Sequence, residues 1–542
     1  MTTFDKAAVE RPPAMFTRQA TGLVRESRTS DALFYNVMWS SVALTFAFYW
    51  LFLTFYPGSN AFLGLGLAAL FGLPGAFLYA MLTQVMPRTG GDYVFNSRTL
   101  HPSAGFAANF SYVFWLAVVI GVYTTYIATY GFGAFGRTMA GFTGAHGWIS
   151  FGNWFSTHQG LFITGTAILL LSVALFVIGG TRLFFRVQIG CFALYVVGAI
   201  LLPIIVGFTQ SRGGFLTNFD HYAANLGVPH ATSALTHSAT KNGFAPTSFS
   251  FKESLRSVSV WWFIFGFIFS SNYFAGEIRL QKRAHMRSMP GAVLVAVVAL
   301  ALMVPAFLHV ANYSFNGMLG YATPSAYGFT AGAPGYPELL GIASGSAVWG
   351  VIMIVGFTVG LAIWIPQTLL LASRSMFAWS FDRLMPERLS YVEPRSRAPI
   401  VAIGIFTVLA IASTAIYSFT TWFSSLSVLL GLSLTLLFTA TSGILLPYRH
   451  RAMVEASPYG RRIAGIPLLT LVGAFALLGF SAAIFVLLWD PGSGASIADN
   501  PGKLELAAIV YAVGFAIYFV SRAIRNRQGI ELDLAYQELP PE

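Results

Sequence analysis

The stretch MPRTGGDYVFNSRTLHPSAGF, residues 86–106, sets an arginine, a glycine pair and a capped helix start between two long apolar runs. Apolar runs of about twenty residues or more on either side of so short a polar connection are membrane spans rather than the core of a soluble domain. Outward from it, apolar runs recur near 33–56, 60–86, 103–134, 160–180, 183–209, 258–279, 290–312, 342–372, 399–418, 420–446, 464–488 and 503–522. They are apolar on every face, as spanning helices are, whereas a barrel strand needs only about ten residues of alternating character.

Composition points the same way. Hydrophobic residues make up 56% and charged residues 9% of the 542, with a mean hydropathy of +0.67, against roughly 25% charged in a soluble domain. The fold class is therefore an all-α polytopic membrane protein with twelve transmembrane helices. The net charge of +11 forms no nucleic-acid-binding stripe; it alternates from connection to connection. The N-terminal tail (Lys6, Arg11, Arg18, Arg25, Arg28) and the even-numbered span exits hold 25 of the lysines and arginines. The other side holds Arg137, Arg212, Lys241, Lys252, Arg256 and Lys503. By the positive-inside rule both termini are cytoplasmic, and the surrounding partner is the lipid bilayer of the cell membrane. Cys191, the only cysteine, falls inside the fifth run, which excludes an intrachain disulfide and a thiolate metal site. The polar N-terminal stretch lacks the apolar core and cleavage site of a secretory signal, so the first span serves as its own insertion signal.

The chain then divides into a cytoplasmic tail (1–32), five spans (33–209), an extracellular segment (210–257), five more spans (258–446), two further helices (447–522) and a cytoplasmic tail (523–542). Because five is odd, a second five-span unit enters the membrane upside down relative to the first, and topology permits an inverted repeat. The extracellular segment carries Asp220, His221, His230 and His237 at spacings that fit no compact metal motif, and reads as a solvated loop over an outer vestibule. Residues 313–341, rich in Gly, Pro and Tyr, read as a cap on the external entrance.

Sites in membrane proteins of this kind lie near the midplane, where helices break and expose backbone groups. The sixth run, SVWWFIFGFIFSSNYFAGEIR (259–279), holds Gly266 and the polar triplet Ser270, Ser271 and Asn272 at membrane depth. These either meet a ligand or pack helices with their hydroxyls bonded back to the preceding turn. The first run offers Asn36, Ser40, Ser41 and Thr45 but no glycine before Gly58. Pro366 denies a donor to the Ala362 carbonyl, and Gln367 and Thr368 beside it either hold a cation or repair the kink. Among the twenty acidic residues Glu277 alone lies near the membrane interior, with Asp92 in the 86–106 connection. Intramembrane charge marks ion or proton paths, and Glu277 is placed to pair with Arg88, Arg279 or Arg374, as a gate or as an interfacial salt bridge. No nucleophile motif, HExxH, P-loop or dinucleotide turn is present, so neither a catalytic nor a metal residue is assigned and no cofactor is expected.

Three segments together resemble the amino acid–polyamine–organocation transporter superfamily. They are PRTGGDYVFNSRTLHPSAGF (87–106), FGFIFSSNYFAGEIRLQKRAHMRSMP (265–290) and SRSMFAWSFDRLMPERLSYVEPRSRAPI (373–400). The resemblance implies a leucine-transporter-like fold: a 5+5 inverted repeat with unwound first and sixth helices, plus two C-terminal helices. It implies secondary transport of an amino acid or related small amine by alternating access, coupled to H+ or Na+. Carried onto this chain, the substrate is met by Phe265, Gly266, Phe267, Ser270, Ser271 and the adjacent Asn272, with Ser40, Ser41 and Thr45 from the first helix. Arg88, Gly90, Gly91, Asp92, Glu277 and Arg374 fall at a cytoplasmic gate. The chain departs from the family by lacking a Gly-x-Gly run in the first helix, and by Ile268 and Tyr195 where an acidic residue and a lysine occur in some members. Trp261, Trp262, Phe265 and Tyr273 lean toward an apolar or bulky substrate. The lack of midplane carboxylates suits an uncoupled facilitator or exchanger as the alternative; a non-transporting amino acid sensor with the same fold is a third reading. Oligomeric state is not written in any of these features.

Overall fold

A computed structural model describes residues 23, 27–279, 284–329, 332–421, 426–498 and 501–537. Most of the N-terminal tail, with its Lys6, Arg11, Arg18 and Arg25, lies outside the described residues, as do Lys282 and Arg283 of the sixth exit. Among the described residues eleven helical segments are long and apolar enough to cross a bilayer. Ten match the apolar runs one to one, and the eleventh, His158–Thr209, takes up two of them in 52 residues. If straight it would be about 78 Å long, more than twice the roughly 30 Å of bilayer hydrocarbon. It breaks at Gly180, where φ is 58° and ψ −157°, a conformation essentially reserved for glycine. A Cβ at Gly180 would lie 1.9 Å from the Ser396 carbonyl oxygen, so the same residue lets the 396 turn approach.

Burial sorts the segments into layers. The most apolar windows of Thr29–Leu51 and Phe251–Glu277 are each 89% buried, against 28% for His158–Thr209 and 22% for Gly502–Arg527. The first and sixth segments, Thr29–Leu51 and Phe251–Glu277, which hold the first and sixth apolar runs, are therefore the most enclosed in the bundle, followed by Pro102–Thr143 at 83%. The rim is apolar on its outside, with Ile178 76% and Leu171 68% exposed, as suits a surface solvated by lipid.

The segment read as a solvated loop is largely helical: Arg212–Asn225, Ala231–Lys241 and Phe251–Arg256. Ser211 and Ser250 cap two of these helices by accepting from the Gly214 and Glu253 amides, the preferred chemistry at a helix start. Asp220 accepts from the Thr232 amide at 2.7 Å, and among the described residues no three His, Cys, Asp or Glu side chains converge on a metal position. At the opposite face the tail returns to the bundle as helix Leu532–Gln537. The Tyr536 hydroxyl lies 3.0 Å from that of Tyr93, and the Arg98 guanidinium sits 5.1 Å from the Tyr536 ring centre.

Candidate functional site

Both central segments break near mid-length. The first is helical over Thr29–Trp39 and again over Val42–Leu51, with Ser41 between them at φ 44°, ψ 58°. Left-handed backbone costs an L-residue about 1–2 kcal/mol, so other groups must hold it. The Trp364 indole N–H donates to the Met38 carbonyl at 2.6 Å, and the Ala43 amide donates to the Tyr195 hydroxyl at 2.9 Å. Both backbone groups are thereby satisfied in a place that water does not reach. Gly360 makes room for the tyrosine, since a Cβ there would meet the Tyr195 ring at 2.3 Å. Ser41→Gly should leave stability unchanged or raise it by up to about 1 kcal/mol, and Ser41→Val should lower it, as thermal unfolding in detergent would show.

The sixth segment is helical over Val258–Phe265, turns at 266–269 and continues as a tighter helix over Ser270–Glu277. The helices that flank the breaks are bonded to each other: Asn36 Oδ1 accepts from the Ser271 amide at 2.9 Å, and Asn36 Nδ2 donates to Ser271 Oγ at 3.0 Å. Ser270 Oγ bonds back to the Phe267 carbonyl and Ser40 Oγ to the Val37 carbonyl, repairing bonds that the breaks remove.

Between these elements lies a cavity of about 280 Å³. Trp39 and Phe267, one from each break, line it together with Phe263, Tyr123, Val119 and Val122, and Phe52, Ser427, Gly494 and Lys503 also belong to its lining. It is aromatic and apolar, and just under the roughly 300–1,000 Å³ common to small-molecule sites. A second cavity of about 350 Å³, between Leu53–Asn60 and Phe244–Phe249, includes neither break and has no charged residue in its lining.

The sequence profile of the amino acid permeases matches residues 29–516, and no curated protein matches the chain. The chain belongs to the amino acid permease family. As a permease it is a multi-pass membrane protein and a transporter rather than an enzyme, and its family handles amino acids as small-molecule substrates.

On the face that bears Asp92, a set of bonds ties the permease's elements together. Arg374 grips Glu277 with two bonds, Nε to Oε1 at 2.8 Å and Nη2 to Oε2 at 3.0 Å, and Thr181 adds a third to Oε2 at 3.1 Å. Of the three partners the sequence offered for Glu277, Arg374 is the one it meets. Ser27 is clamped alongside, its amide on the Glu277 carbonyl and its own carbonyl taking the Arg279 amide. Gly90 donates its amide to the Tyr273 carbonyl at 3.0 Å. Gly90 and Gly91 have φ of 115° and 55°, and a Cβ on Gly91 would strike the Tyr273 ring at 2.8 Å. Asp92 accepts from Tyr79 Oη at 2.9 Å and from Asn272 Nδ2 at 2.7 Å. Arg88 is half-buried beside them and bonds to the Pro87 carbonyl.

The remaining candidates fall elsewhere. Phe265 presses its Cβ into the space above Gly72, away from the cavity. Gly266 is right-handed at φ −69°, and a Cβ there would touch the Trp262 indole at 3.0 Å. Thr45 is buried with its hydroxyl unpartnered. Beside the Pro366 kink, Thr368 Oγ1 bonds back to the Trp364 carbonyl, and Gln367 Nε2 donates to the Tyr35 carbonyl and to Gln188 Oε1, both at 3.3 Å.

Glu277 is not alone among the acids in being buried, and three others fall outside the candidate spans. Glu338, Asp382 and Asp490 are 1% exposed or less. They pair with Arg137 at 2.9 Å, Arg98 at 2.6 Å and Arg256 at 2.9 Å. Their partners lie 201, 284 and 234 residues away in the chain, so only the tertiary fold brings each charge to its counter-charge. The cavity residues Trp39, Tyr123, Phe263 and Val122 were also missed, because an aromatic or aliphatic residue in a span carries no signal that separates a lining from a lipid contact.

Proposed function

We propose that the permease is a secondary active transporter that moves an amino acid or related small amine with an apolar or bulky side chain across the cell membrane by alternating access. In this reading the state described is open toward the extracellular side, and both termini are cytoplasmic. Splitting His158–Thr209 at Gly180 gives twelve spans: a five-helix repeat (33–209), its inverted copy (258–446) and two further helices. Transport is coupled to a proton or another ion. The cavity between the two broken central helices is the observation that carries the reading, because it takes one residue from each break. The breaks are where a substrate's amino and carboxylate groups find backbone partners, while the aromatic wall takes the side chain. Gly266→Leu places a branched side chain against Trp262 at the turn itself. Uptake of labelled L-phenylalanine into proteoliposomes should fall to background in this variant, and uptake of every amino acid at the wild-type rate would remove the turn from the site.

A further inference from the structure

Four carboxylates in this bundle, those of Glu277, Glu338, Asp382 and Asp490, are buried and lie within 2.9 Å of an arginine. Asp92 is also buried, at 3% exposure, but among the described residues it meets no arginine, lysine or histidine. Its oxygens are held by Tyr79 and Asn272, with Thr439 beside them. The titratable groups that face it are tyrosines from four elements: Tyr79 on Ala61–Val85, Tyr112 on Pro102–Tyr126, Tyr273 on Ser270–Glu277 and Tyr511 on Gly502–Arg527. A buried carboxylate with only neutral donors is costly when ionised, and one bound proton removes that cost.

Asn272 gives this proton a structural consequence. Its Nδ2 donates to Asp92 Oδ1 at 2.7 Å, while its Oδ1 is buried with no partner. When a proton forms an O–H bond on Asp92 Oδ1, the charge goes from −1 to 0, and a half-turn of the amide lets the unpartnered Asn272 Oδ1 accept the new O–H. A bond to an ionised group is about twice as strong as a neutral one, so protonation loosens the tie between the 86–92 connection and the Ser270–Glu277 turn. That turn also bears Glu277 and the carbonyl that holds Gly90, so opening the Asp92 face requires it to move.

We propose that Asp92 is the binding site of a coupling proton, and that Asn272 reports its occupancy to the broken sixth helix. The proposal rests on the transport reading above and names its coupling ion. Burial, opposed by the bonds from Tyr79 and Asn272, raises the Asp92 carboxyl from its ordinary value to about 6, so it exchanges its proton close to physiological pH.

The test uses the full-length protein in lipid nanodiscs and needs no substrate. Infrared difference spectra between about pH 8 and about pH 5 should show a protonated-carboxyl band with a midpoint near 6 that Asp92→Asn removes. A spectrum unchanged in D92N overturns the proposal. Should D92N fail to fold, Asn272→Leu removes the donor to the ionised form and should move the midpoint to higher pH; an unmoved midpoint overturns the proposal as well. In proteoliposomes given an inward proton gradient, wild type should accumulate labelled L-phenylalanine by up to about tenfold per pH unit for one proton per substrate, and D92N should not. Accumulation by D92N equal to wild type also overturns it. Absence of phenylalanine uptake by wild type counts against the substrate reading, and the infrared titration then decides the proton site independently.

Discussion

Arg374→Ala should destabilise the permease by about 3–5 kcal/mol, the cost typical of leaving one partner of a buried ion pair uncompensated. Arg374 is 0% exposed and the Glu277 side chain 2%, so no water reaches the stranded carboxylate. Thr181, its remaining side-chain donor at 3.1 Å, is neutral and cannot offset a full charge. The expected readout is a lower unfolding temperature and faster loss of the monodisperse species in detergent, together with loss of uptake. The combined variant Glu277→Gln with Arg374→Met distinguishes a stabilising pair from a gate. Removing both charges of a buried pair is often close to neutral in stability, so the double variant should recover most of the lost unfolding temperature. It should not recover the tie on the Asp92 face, since the two bonds between Ser270–Glu277 and Trp364–Phe381 are gone. Recovery of both stability and accumulation would make the pair purely structural.

How much of this was legible in the sequence depended on whether a feature is local. The sixth break was legible because Gly266 and the Ser270–Asn272 triplet interrupt an aromatic run within a few residues. The Asp92 connection was legible for a similar reason: its glycines sit at positive φ, where almost nothing else fits. The first break had no such mark. Its left-handed residue is a serine, held by Trp364 and Tyr195 from helices far along the chain, so the family resemblance implied the break while no glycine marked its position. Hydropathy also hid the buried ion pairs. A charged residue near the end of an apolar run looks like the boundary of a span, and only its distant partner shows that the fold has drawn it inside. The helices between residues 212 and 256 escaped for the opposite reason, because their composition is polar and their capping serines, Ser211 and Ser250, were read as loop residues.

Filling the cavity should abolish transport with little effect on stability. Val122 lines the cavity wall and is only partly buried, so in Val122→Trp the indole enters existing space instead of overpacking the core. Overpacking a filled core costs about 1–3 kcal/mol, whereas a ring added to an open, apolar cavity gains contact area and leaves the backbone undisturbed. The space lost is a large part of the 280 Å³, and an amino acid with a bulky side chain no longer fits beside Phe263 and Phe267. Uptake of labelled L-phenylalanine should therefore drop to background while the unfolding temperature stays near that of wild type. Phe267→Ala is the opposite change: it enlarges the same wall and should shift preference toward larger side chains, read as the ratio of L-tryptophan to L-alanine uptake. A chain whose substrate binds elsewhere, for instance in the cavity between Leu53–Asn60 and Phe244–Phe249, would show neither the block nor the shift. Val122→Trp lies outside both breaks and Phe267→Ala only shortens a side chain at one of them, so a matched pair of opposite effects would assign the cavity to the substrate.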